Sequence, residues 1–95
     1  MMIGVKMAET VTVEFYGVPR QRAGRAEMPV AAGTVAEVLH AVERNCPGMK
    51  GLITAAGGLS AHYLVSVDGE EFVTDFQRTL GSGSRVLVLS ADAGG

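Results

Sequence analysis

The chain ends in Gly94-Gly95, directly after Ser90-Ala91-Asp92-Ala93, so its last chemically distinctive group is a free carboxylate on a bare glycine. Two adjacent glycines carry no Cβ and reach almost any φ/ψ, which lets such a tail enter a channel that other residues would obstruct. That carboxylate is the expected site of chemistry, on a terminus suited to being handed to another protein. A carboxylate is a poor electrophile because its leaving group would be oxide, so activation must come from outside. The sequence has no Gly-x-x-x-x-Gly-Lys-Ser/Thr phosphate loop, and Gly81-Ser82-Gly83 reads as a turn rather than a phosphate cradle.

Other reactive side chains fit plainer roles. His40 falls on the polar side of a helix and His62 near a strand start, and no ligand motif links them. Cys46 is the single cysteine and sits at a helix end rather than at an activating N-terminus. Asp68, Glu70 and Glu71 crowd a hairpin turn, where carboxylates make a solvated edge that discourages strand aggregation. Phe15, Phe72 and Phe76 are the three phenylalanines, and core packing is the expected role of each. No metal site and no bound cofactor is expected from these residues.

The elements that must position the tail fit within one small domain spanning residues 1–95, with 90–95 read as a flexible tail. The 47% hydrophobic content is enough for one core in 95 residues, and the 19% charged content is too low for a disordered chain. A net charge of −2 gives no basic footprint, and Arg20, Arg22 and Arg25 are too few to track phosphates, so no nucleic-acid partner is expected. No apolar run reaches membrane-spanning length, and the stretch from Met1 to Thr10 lacks the features of a secretory signal. These readings lead to the expectation of a cytoplasmic protein with no membrane partner. One cysteine rules out an internal disulfide, so the fold must rest on its apolar core.

Val11 to Tyr16 alternates, with Val11, Val13 and Phe15 on one face, and predicts a half-buried strand. Gly17 to Gly24 supplies turn residues, and Arg25 to Val30 can return as the second strand of a hairpin. Thr34-Val35-Ala36-Glu37 has the capping-box spacing of a helix start. Val35, Val38, Leu39 and Val42 then form one apolar stripe, with Glu37, His40, Glu43 and Arg44 opposite, until Pro47-Gly48 ends the helix. Met49 to Ala56 predicts a short second helix, and Tyr63 to Val67 a strand. Asp68-Gly69 predicts a tight turn into Glu70 to Val73. Leu80 to Ser84 is a glycine-rich turn before a last strand, Arg85 to Leu89, which is apolar on both faces and is expected to lie centrally in the sheet. A hairpin, a crossover helix and returning strands give an α+β domain of β-grasp type, a mixed sheet with one main helix packed across it.

Over nearly its whole length the chain resembles the ThiS/MoaD family of ubiquitin-like sulfur carriers. The residues that carry the resemblance are Val13-Glu14-Phe15-Tyr16-Gly17 with Arg20 and Gly24, Thr34 to Leu39, Val65-Ser66-Val67-Asp68-Gly69, Leu80 with the glycine turn before Arg85-Val86, and the terminal Gly94-Gly95. The chain departs from the family pattern at Ser82-Gly83-Ser84, where an acidic residue commonly follows the glycine, and at Ser90 to Ala93, where a proline is common. The resemblance implies a non-enzymatic carrier. An ATP-using, E1-like enzyme would adenylate Gly95, and a sulfur donor would displace AMP to leave a thiocarboxylate. An acceptor enzyme, such as a molybdopterin synthase large subunit or a thiazole synthase, would then take the sulfur for molybdopterin, thiamine or another metabolite. Ser90, Ala91, Asp92, Ala93, Gly94 and Gly95, with the sheet surface near the last strand, would dock these partners. Two alternatives share the fold: a protein modifier forming isopeptide bonds through Gly95, and a noncatalytic interaction module.

Overall fold

The computed structural model describes residues 9–91. Five strands form one mixed sheet: β1 (Thr10–Phe15), β2 (Glu27–Ala31), β3 (Tyr63–Val67), β4 (Glu71–Phe72) and β5 (Arg85–Ser90), in the spatial order β2-β1-β5-β3-β4. The β1–β5 pair is parallel and the others are antiparallel. Val86 and Val88 of β5 are buried while Leu87 and Leu89 are half-buried on the alternate face, and the central place of the strand is the expected one. Proline sits within β2 as Pro29, which an edge strand tolerates because its outer side has no ladder to supply.

The main helix α2 (Val35–Asn45) covers one face of the sheet. Its capping box forms as its spacing requires: the Glu37 amide donates to Thr34 Oγ1 at 3.1 Å, and the Thr34 amide donates to Glu37 Oε1 at 2.8 Å. The stripe Val35, Val38, Leu39 and Val42 is fully buried against Val11, Val13, Phe15, Val65, Val86 and Val88. Each such side chain contributes about 1.5–3 kcal/mol of hydrophobic stabilisation. Thr34→Ala removes one of the two capping bonds and is expected to cost about 1 kcal/mol, read as a lower midpoint in urea with an unchanged slope.

The structure differs from the expected elements in four places. The supposed turn from Gly17 to Gly24 contains a helix, α1 (Val18–Ala23). Pro19 lies in its first turn and Gly24 caps it in the left-handed conformation (φ 77°), donating its amide to the Arg20 carbonyl at 3.0 Å. The expected helix over Met49 to Ala56 is absent. A 3-10 turn, Pro47–Met49, stands in its place, and Gly51 at φ 90° turns the backbone out of any helical path. Met49 and Leu52 still anchor this segment in the core. The fourth strand is only two residues long. Phe72 lies 56% exposed rather than in the core, because its register partner Ser66 belongs to the face that α2 does not cover. Phe15 is buried and Phe76 is half-buried against the core, as expected.

The Asp68-Gly69 turn forms with positive φ at both residues, 56° and 70°, as its type demands. Asp68 is also held structurally, since its Oδ1 accepts from the Arg85 amide at 2.8 Å and so ties the β3–β4 turn to the start of β5.

Candidate functional site

Central β5 runs out to Ser90, and Ala91 continues its pairing by donating its amide to the His62 carbonyl at 2.9 Å. The chain therefore leaves the sheet beside the start of β3. Of the expected docking residues, Ser90 and Ala91 are half-buried at this exit, whereas Asp92, Ala93, Gly94 and Gly95 lie outside the described residues.

A groove of about 230 Å³ flanks the exit, lined by Val18, Arg22, His62, Tyr63 and Ser90. Arg22 Nη1 donates to the Tyr63 hydroxyl at 3.2 Å, which fixes the guanidinium of α1 over a largely buried tyrosine at the start of β3. These residues are 41 positions apart, and no local motif joins them. The antiparallel pairing of β3 with β5, which sets Tyr63 opposite Ser90, is what brings them to the tail.

α1 reaches this position by close backbone packing against the 3-10 turn. A Cβ on Gly48 would collide with the carbonyl oxygen of Arg22, so only glycine admits this approach. Gly48→Ala is expected to destabilise the domain by about 1–3 kcal/mol as the two segments are forced apart. Amide exchange in α1 should rise more than in α2.

The second candidate surface is the sheet face left open by α2. Register places Leu64 opposite Leu89 and Ser66 opposite both Leu87 and Phe72, so half-buried leucines and an exposed phenylalanine form an apolar patch beside the tail-bearing strand. Charge borders the patch on the β1–β2 side. Arg85 pairs with Glu14 and lies 4.0 Å from Glu27, and the Tyr16 hydroxyl donates to Glu14 at 2.5 Å. An apolar centre with a satisfied polar rim is the composition of a protein-binding surface.

The remaining residues singled out by type are placed elsewhere. His40 is exposed on α2 with Nδ1 at 3.3 Å from Glu43 Oε1, and the other oxygen of Glu43 accepts from the Ile53 amide at 3.0 Å. Cys46 is buried with its Sγ 3.6 Å from Met28 Sδ, a packing position rather than an accessible thiol. Among the described residues, no group of three or more His, Cys, Asp or Glu side chains converges to hold a metal ion. No described helix is long and apolar enough to cross a membrane.

No protein-family model and no curated protein matches the chain. Solved structures do. SAMP1 of Haloferax volcanii, a small archaeal modifier protein, aligns with a TM-score of 0.77 at 19% identity, over 90% of this chain and 99% of that one. The Amycolatopsis orientalis BexX/CysO complex aligns with a TM-score of 0.75 at 26% identity, over 90% of this chain and 99% of its own. A Pyrococcus furiosus protein described as molybdopterin converting factor subunit 1 aligns at 0.73 and 19%, over 90% and 100%. The fold is that of the ThiS/MoaD-type ubiquitin-like proteins. The expected resemblance and the β-grasp architecture both stand, including the placement of the last strand at the sheet centre.

Proposed function

We propose that this chain is a ubiquitin-like sulfur carrier whose Gly95 carboxylate is the reacting group. The observation that supports this best is the course of β5: the central strand carries the chain out beside an apolar sheet face and a cationic groove, toward Gly94-Gly95. In this reading the Gly95 carboxylate attacks the α-phosphate of ATP held by an E1-like partner, and pyrophosphate leaves. Sulfide then attacks the acyl carbon, the bond to AMP breaks, and a thiocarboxylate remains. With a persulfide donor, the acyl disulfide first formed is opened by a thiol reductant to the same product. ATP is bound by the partner and the chain itself needs no cofactor. The apolar patch around Leu87 and Leu89 would seat the activating enzyme and afterwards the acceptor enzyme. Molybdopterin is the leading destination, supported by the likeness to molybdopterin converting factor subunit 1, and thiamine or another sulfur-containing metabolite follows. The cytoplasm is the compartment in which such partners would be met.

The likeness to small archaeal modifier proteins favours a second reading, in which the same activated glycine is captured by a lysine amine to form an isopeptide bond. A noncatalytic interaction module would need neither chemistry. An intact-mass spectrum after incubation with ATP, an E1-like enzyme from the same source and a sulfur donor separates the three. Exchange of one oxygen for sulfur at Gly95 supports the carrier. Larger adducts that survive reducing agents support the modifier, and an unchanged mass despite partner binding supports the module.

A further inference from the structure

Positive charge is unevenly placed on this chain. Between Gly17 and Ala26 there are three arginines, Arg20, Arg22 and Arg25, and no acidic residue, although the net charge of the whole is −2. All three are exposed. Arg20 and Arg25 border a depression of about 590 Å³ on one side of α1, and Arg22 lies on its other side, in the groove that contains Ser90. Resting on the reading of the tail as the reacting group, we infer that α1 is an electrostatic docking surface for an acidic rim around the tail channel of the activating enzyme.

Reach makes the argument. Four residues follow Ala91 in the sequence, and an extended chain spans at most about 3.6 Å per residue, so Gly95 can lie no farther than about 14 Å from Ala91. An enzyme acting on Gly95 must bring its channel mouth that close. A standard interface covers about 800 Å² on each partner, so the surface flanking the exit falls inside the footprint. α1 is that flank on the Arg22 side, held there by the Arg22–Tyr63 bond and by the glycine contact at Gly48. Charge at the margin of an interface acts chiefly on the rate of encounter and on orientation, which suits guiding a tail into a channel. A nucleic acid fits this surface less well, since three phosphate contacts add little binding to a chain of net negative charge.

The test measures association of the full-length chain with the recombinant E1-like enzyme from the same source by stopped-flow fluorescence at several ionic strengths. The variants are R20E/R22E/R25E, the milder R20Q/R25Q, and R78E. Arg78 lies beside the start of α2, where its carbonyl accepts from the Val35 amide, at the other end of that helix from the 3-10 turn that α1 packs against. The wild-type association rate should fall as salt rises. The triple reversal should lower it about tenfold at low ionic strength, the charge-removed pair by less, and R78E should match wild type. The thermal melts of R20Q/R25Q and R78E, which keep the Arg22–Tyr63 bond, should stay close to wild type, and saturating enzyme should restore their sulfur loading. An R20Q/R25Q pair that folds and associates at the R78E rate at every salt would overturn the inference, as would tighter binding of wild type to a nucleic-acid duplex than to the enzyme. Charge-dependent association without any thiocarboxylate would uphold the docking surface and place the failure in the tail reading alone.

Discussion

A chain lacking Gly94-Gly95 is expected to fold as the full-length protein does and to take up no sulfur. The fold should survive because the described core, from Val11 in β1 to Val88 in β5, packs on itself without Gly94-Gly95, and the described tail residue Ala91 donates one sheet hydrogen bond to the His62 carbonyl. The chemistry should be lost because the terminal carboxylate would move two residues closer to the sheet, shortening its reach by about 7 Å. Gly95→Ala tests the narrower point. It keeps the length and the carboxylate and adds a single methyl, so a comparable loss of loading would assign the requirement to channel width rather than reach. Intact mass reads the loading and a thermal melt reads the fold, in the same samples. Loading of the truncated chain at the full-length rate would sink the assignment of Gly95 as the reacting group.

The parts of this structure that were legible in the sequence are those governed by short-range patterns. Thr34 and Glu37 announce a helix start because both capping bonds close within one turn. Val11, Val13 and Phe15 announce a strand because burial on one face requires a period of two. The apolar run from Val86 to Leu89 announces a central strand, with Val86 and Val88 buried and Leu87 and Leu89 half-buried on the open face. α1 was not legible from hydrophobic periodicity, since Pro19 is its only buried residue and six residues cannot display a stripe. Pro19 near its start and Gly24 past its end were the available signal. The absent helix after Met49 fails for a local reason visible only in the backbone, the positive φ at Gly51, which the apolar content of Met49 to Ala56 concealed. The groove at the tail exit was the least legible. Arg22 and Tyr63 meet through sheet pairing and helix packing, and their residue types give no hint of it until the topology is known.

Phe15→Ala is expected to have the opposite signature to tail deletion: fold lost, chemistry intact in whatever fraction remains folded. Phe15 is 1% exposed, lies in register with Val88 of β5, and closes β1 where its amide donates to the Ala26 carbonyl at 2.8 Å. Truncating its ring leaves a void between β5 and α2 that rigid neighbouring strands cannot fill, at a cost of about 3–5 kcal/mol. A domain of this size commonly has only about 5–15 kcal/mol in total, so the variant should melt on the order of 15 °C lower or be partly unfolded at rest. The same residue supports the last strand before the exit, so sulfur loading should fall in proportion to the folded fraction measured by circular dichroism, with no further loss per folded molecule. A loading defect much larger than the folding defect would show that Phe15 and Val88 also set the direction in which the tail leaves the sheet. A full-rate variant that melts near wild type would mean that the void collapses, and that the β5–α2 layer is more compliant than its packing implies.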